Sequence, residues 1–300
     1  MNVLPKPDAG RSSDLATKSR REGLAIVATH GTGNREARTL SDEDRQFPWW
    51  SLFSELVGTA LLLMAGLSLV ILMFGARSPM ADILPSLWLR RTITGFLFGI
   101  VGALIVLSPV GKKSGAHINP AVTAAFWLMG KLDSRVALGY VISQVGGAIL
   151  GCLPLLAWGS MGRSIAFGAT IPGEGYTTHT VLVGEAATTF ALITGLCFFI
   201  GFRKLRPFTP AMIPFLYALM VPLEAAVSGT STNPARSLGP AVISGEWQGW
   251  WLYWLGPLIG TLLAVLVCSF LAKRIEVAKL YYFESERRRL FRTVTPRDPA

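Results

Sequence analysis

The chain has 300 residues, of which 51% are hydrophobic and only 15% charged, with a net charge of +10 and a mean hydropathy of +0.46. Soluble domains carry about 25% charged residues, so this composition excludes an ordinary soluble fold and points to the membrane. The positive charge does not argue for nucleic acid, and no nucleic-acid partner is expected: Lys and Arg gather in the tails and at the edges of apolar runs, where membrane proteins place them.

Residues 1–46 are polar, rich in Ser, Gly, Arg and Asp, and without sustained apolar periodicity. That predicts a disordered tail. No signal peptide is expected, since the first apolar stretch after Met1 is short and interrupted. Apolar runs then recur over roughly 49–74, 92–110, 135–157, 180–201, 209–227 and 248–272. Each approaches the length of about 20 residues that crosses a bilayer. Two shorter stretches, about 119–130 and 233–244, begin at Asn-Pro pairs and are too short to cross. The expected fold class is an all-α membrane protein: six transmembrane helices plus two re-entrant half-helices. One membrane domain over 47–272 holds them, arranged as repeats of about 47–157 and 179–272. From residue 273 to 300 the chain is a basic tail with Arg287, Arg288 and Arg289 in a row, suited to anionic lipid headgroups.

Catalytic chemistry finds no footing. Cys152, Cys197 and Cys268 lie inside expected spans without metal-like spacing, and the three histidines are scattered. No Ser/His/Asp set, phosphate loop or paired carboxylates can be assembled. No enzyme, metal or cofactor is expected.

The two short stretches share a phrase. The first reads Ser114-Gly115-Ala116-His117-Ile118-Asn119-Pro120-Ala121-Val122, the second Ser228-Gly229-Thr230-Ser231-Thr232-Asn233-Pro234-Ala235-Arg236-Ser237. Polar residues at membrane depth need partners, because an unsatisfied polar group in hydrocarbon costs several kcal/mol. Asn119 and Asn233 read as helix N-caps, with Pro120 and Pro234 at the first helical position, where the missing N–H had no partner anyway. A helix N-terminus carries about half a positive charge. Three spans per half is an odd number, so the halves lie inverted in the membrane. Both positive ends then meet at its centre, where they repel cations and protons, while the Asn amides offer N–H groups to a passing water.

The repeat runs further. Glu55 in the first span answers Glu185 in the fourth, and Gly147 in the third answers Gly260 in the sixth. Small residues such as Gly58, Gly147 and Gly260 allow helices to approach closely. Ionisable residues inside a span are functional candidates. For Glu55 and Glu185 two roles stay open: accepting N–H groups from the re-entrant loops, which is the favoured one, and relaying protons.

These residues together resemble the major intrinsic protein family, the aquaporins and glycerol facilitators, over about 47–272, and bacterial aquaporin-like members in particular. The carriers are the two Asn-Pro-Ala boxes (Asn119, Pro120, Ala121 and Asn233, Pro234, Ala235), the Ser-Gly-Ala-His lead-in with His117, Arg236 after the second box, and Glu55 and Glu185. The resemblance implies one pore per subunit and a homotetramer. Glycerol facilitators typically carry Asp after that Arg; Ser237 stands there, with Ala241, Tyr253 and Trp254 also as in water-selective members. The family builds a selectivity filter from four positions. Here they fall on Thr230, Arg236, Val221 and a residue of the second span, Phe98 or Gly99, of which Phe98 is preferred. Water channels usually place His where Val221 stands, so a wider and more apolar filter is expected. Glu224 lies one turn beyond Val221. It either joins the filter beside Arg236 or accepts N–H groups from the loop at Ser228–Thr232.

The function expected is a passive channel for water and possible small uncharged solutes, closed to protons and ions. The alternative from another class is an ion- or proton-coupled secondary transporter, since inverted repeats with broken helices also serve those; a structural membrane protein with a closed pore is the third. With six spans the tails share a side, which Lys112, Lys113, Lys131, Arg135, Arg203, Lys204 and Arg206 mark as cytoplasmic, against Arg90 and Arg91. The expected home is the bacterial inner membrane.

Overall fold

The structure is a computed structural model that describes residues 48–271. The tails expected at 1–46 and 273–300 lie outside the described residues. Eight main helices follow one another: α1 (Trp49–Phe74), α2 (Leu87–Leu107), α3 (Pro120–Leu128), α4 (Ser134–Cys152), α5 (Thr178–Gly201), α6 (Thr209–Glu224), α7 (Pro234–Ser244) and α8 (Leu252–Leu271). No strand occurs among the described residues. Helices α1, α2, α4, α5 and α8 are long and apolar enough to cross a membrane. The remaining expected span, α6, has only 16 residues, about 24 Å of helix. The two short helices, α3 and α7, have 9 and 11 residues.

Helix ends follow local chemistry. The second span begins at residue 87 rather than 92, because the Ser86 side chain accepts the Leu89 N–H at 3.3 Å and caps it there. This carries Arg90 and Arg91 inside the helix. Arg90 Nη1 then donates to the Met73 carbonyl at 2.9 Å and lies 5.5 Å from the Phe74 ring centre, so one of the two cations that opposed the charge asymmetry closes the end of α1. The same span ends at Leu107 rather than 110, since Pro109 forces its predecessor out of helical backbone. Ser108 caps a separate short turn, Pro109–Ser114. In α4, Pro154 ends the regular helix at Cys152, and a tighter 3-10 turn, Leu153–Trp158, continues it. Pro214 and Pro222 lie within α6, which stops at Glu224 instead of running on to 227.

The packing repeats by halves. In α1 the buried positions Ser51, Ser54, Glu55, Gly58, Thr59, Leu62, Leu63, Gly66 and Leu67 recur every three or four residues. They form one stripe facing the bundle. Helix α4 packs on α1, α8 on α5, and α6 on α2 across the halves. A Cβ at Gly147 would sit 2.2 Å from the Leu56 carbonyl oxygen, and one at Gly260 2.2 Å from that of Ala186. Backbones touch at these matched places, as packing in lipid favours. Gly58 differs: its open side faces side chains rather than a backbone, those of Ile118 in the first re-entrant loop and Ile105 of α2. Ile142, Leu219 and Phe270 stay exposed on the outside, and Trp49, Trp50, Trp88 and Trp250 are exposed near helix ends. Lipid as outer solvent accounts for both patterns.

Candidate functional site

The loops before α3 and α7 have the same backbone. Gly115 and Gly229 have φ of 93° and 89°; Ala116 and Thr230, 47° and 53°; Ile118 and Thr232, 42° and 54°. Four of these six are not glycine, and left-handed backbone costs such residues roughly 1–2 kcal/mol each. Something must hold them there. Glu55 accepts the N–H of His117 (3.0 Å) and of Ile118 (2.7 Å); Glu185 accepts those of Ser231 (2.8 Å) and Thr232 (2.9 Å). Both carboxyls are fully buried. The correspondence continues outward: the Tyr140 hydroxyl donates to the Ser114 carbonyl at 2.8 Å, and that of Tyr253 to the Ser228 carbonyl at 3.0 Å. His117 Nδ1 lies 3.2 Å from Thr123 Oγ1, and its ring packs on Phe126 and Tyr140. At the matching positions of the second loop, Ser231 and Ser237 join their hydroxyls.

The half-helices meet through their caps. Asn119 Oδ1 accepts the Ala121 N–H at 2.8 Å, and Asn233 Oδ1 accepts those of Ala235 and Arg236 at 3.1 and 3.3 Å. Each Asn amide then reaches across: Asn119 Nδ2 donates to the Thr232 carbonyl at 3.0 Å, Asn233 Nδ2 to the Ile118 carbonyl at 2.9 Å. An amide has two N–H groups. One on each Asn ties the loops together, and both residues line one cavity.

Two cavities flank this junction. The lower one, about 80 Å3, is lined by Asn119, Asn233 and His117 and reaches Gly115 and Pro210. The upper one, about 240 Å3, is lined by Val221 and Thr230 and reaches Leu87 and Arg91. Arg236 borders both, with Nη1 donating to the Gly168 carbonyl at 2.7 Å. Phe98 also borders both, whereas Gly99 lines only the lower cavity and backs onto the Pro214 backbone. Sequence reading passed over Gly168 and Tyr217. Gly168 sits in an irregular loop whose φ values of 47°, 54° and 81° over residues 166–168 leave no recognisable motif. Tyr217 lines both cavities, and nothing in its apolar surroundings marks it out.

Glu224 does not border either cavity. It is buried against Gly184 of α5 and takes part in a contact with the Ser228 hydroxyl, which also reaches Glu185. One hydroxyl proton cannot serve two carboxyl oxygens. Among the described residues, Glu224 Oε2 and Thr230 Oγ1 are buried and find no hydrogen-bond partner. Of the roles open for Glu224, the geometry therefore favours support of the second loop, with the Ser228 hydroxyl as its contact. Among the described residues, no group of three or more His, Cys, Asp or Glu side chains comes together that could hold a metal.

Comparison with known proteins adds to this geometry. The family model described as "Major intrinsic protein" matches residues 43–268. Aquaporin-8 of Mus musculus is 30% identical over 226 residues, 72% of this chain and 80% of the relative. The lens fiber major intrinsic protein of Gallus gallus is 34% identical over 180 residues, 57% of this chain, and aquaporin TIP1-2 of Zea mays 36% over 170, 55% of this chain. The chain spans 65% of the length of each of these last two. Among solved structures, the aquaglyceroporin from Plasmodium falciparum superimposes with a TM-score of 0.59 at 19% identity, over 76% of this chain and 97% of its own. At that identity the likeness is one of fold.

Proposed function

This chain belongs to the major intrinsic protein family, and on that premise we propose that it is a passive transmembrane channel for water and small uncharged solutes. The observation that carries the reading is the junction of α3 and α7. Two helix N-termini meet head to head through reciprocal Asn bonds, and both Asn residues line a cavity with a second N–H each to offer. Water can take that N–H by its oxygen. A proton or cation meets two positive helix ends and Arg236 in a site with little water to screen them. The proposed filter is Phe98, Val221, Thr230 and Arg236, with Val221 its wide and apolar side.

A coupled transporter needs carboxyls free to load and release protons. Glu55 and Glu185 are engaged with the loop N–H groups instead, which favours the passive reading. The proposed body is a channel domain over 47–272 in a membrane such as the bacterial inner membrane, with both tails cytoplasmic and four copies assembled as a homotetramer. The use of Arg90 as a cap on α1 weakens it as a counter-argument to that orientation.

The test is solute movement in proteoliposomes under an imposed proton gradient. A passive channel gives fluxes that follow the solute gradient alone and are unchanged by the proton gradient. Solute accumulation driven by the proton gradient would replace the channel with the transporter.

A further inference from the structure

Among the described residues, four line both cavities: Phe98, Tyr217, Ser231 and Arg236. Val221 and Thr230 line the upper cavity alone, Asn119 and Asn233 the lower alone. The partition between the cavities therefore lies one helical turn inward from Val221, where Phe98 faces Tyr217. Their ring centres are 6.2 Å apart and the ring planes 30° from parallel.

Phe98 has no room to retreat, because α1 stands behind it: a Cβ at Gly66 would lie 2.5 Å from Phe98 Cε2. Tyr217 is held through its backbone, which lies against α2: a Cβ at Gly95 would lie 2.4 Å from the Tyr217 carbonyl oxygen. The far end of Tyr217 is tied as well, its hydroxyl 2.6 Å from Thr232 Oγ1. Thr232 gives its own proton to the Ser231 carbonyl at 2.7 Å, so Tyr217 is the donor, and its oxygen keeps acceptor capacity.

We infer that Tyr217 is the specificity-determining residue of this pore: with Phe98 it forms a second restriction below Val221, and this one sets the solute cut-off. The inference rests on the channel reading. Val221 widens the upper level, but a solute admitted there still has to pass between two clamped rings. Substitution at Val221 alone then changes selectivity less than substitution at Tyr217.

The experiment uses the full-length chain in proteoliposomes, with water flux read from a sucrose step and solute flux from a glycerol step. Tyr217→Ala is expected to raise glycerol permeability about tenfold, equivalent to lowering a barrier by roughly 1.4 kcal/mol, with a smaller change in water. Tyr217→Phe keeps the ring and stays within about twofold of the parent for glycerol, since size sorts neutral solutes here. Val221→Ala raises glycerol flux less than Tyr217→Ala. Should the alanine variant not yield folded protein, Tyr217→Leu takes its place with the same expected rise. An equal or larger rise in Val221→Ala, or no rise in Tyr217→Ala or Tyr217→Leu, overturns the assignment. So does a parent protein that already passes glycerol as fast as Tyr217→Ala. A parent without excess water flux is a distinct result, and it removes the channel reading together with this assignment.

Discussion

Glu185 carries the second re-entrant loop, and its removal is open to calculation. Glu185→Ala withdraws the acceptor from the Ser231 and Thr232 N–H groups and from the Ser228 hydroxyl. A buried donor left unmade costs roughly 1–3 kcal/mol, so the two backbone groups alone account for about 2–6 kcal/mol. Thr232, at φ of 54°, then loses the bond that offsets its strain of roughly 1–2 kcal/mol. Against a typical total stability of about 5–15 kcal/mol, the loop cannot keep this backbone. Glu185→Gln retains one acceptor but turns an amide N–H toward a backbone donor, so it loses about half as much. The assays are thermal unfolding in detergent and osmotic shrinkage of proteoliposomes. Glu185→Ala is expected to lower the melting temperature by at least about 5 °C and to abolish the excess water flux; Glu185→Gln falls between it and the parent. Unchanged melting and flux in Glu185→Ala would refute the account of how the loops are held.

Glu224→Gln should be tolerated better than Glu185→Gln in the same two assays, because Ser228 cannot donate to both carboxyls and an amide brings its own donor to that hydroxyl; an equal loss in both variants would contradict this. Mercurial reagents should leave water flux intact: Cys152, Cys197 and Cys268 are buried and line neither cavity, and a block abolished by Cys197→Ser would show otherwise. Arg236→Val removes a buried cation that borders both cavities and should add a proton leak, read with a pH-sensitive dye under a pH gradient; a leak no larger than the parent's would mean that the helix ends alone form the barrier.

Much of the fold was legible because lipid demands long apolar runs and closes off irregular backbone except where it is buried. The runs at 49–74 and 180–201 nearly coincide with α1 and α5. Boundaries shifted where capping or proline outweighed hydropathy, as at Ser86, Pro109 and Pro154. The twin loops were legible because Asn-Pro is costly at membrane depth, and the two Glu residues because an intramembrane charge needs a reason. Tyr217 was not legible. A tyrosine in an apolar helix is an ordinary core residue until its ring is seen to face Phe98 and its hydroxyl to reach Thr232. The carbonyl of Gly168 that holds Arg236 has no side chain to betray it. Glu224 was placed near Val221 by helical spacing, but spacing alone cannot say that its carboxyl turns toward Gly184 and Ser228.

The central claim is that α3 and α7, joined through Asn119 and Asn233, frame a passage that water crosses and protons do not. One measurement reads both: vesicles holding the reconstituted protein and a pH-sensitive dye, subjected to an osmotic step across a pH gradient. Shrinkage is expected to be faster than in protein-free vesicles, with a lower activation energy than the bare bilayer, and the proton leak no greater than theirs. Fast shrinkage accompanied by a matching proton leak, or no excess shrinkage from folded protein, would contradict it.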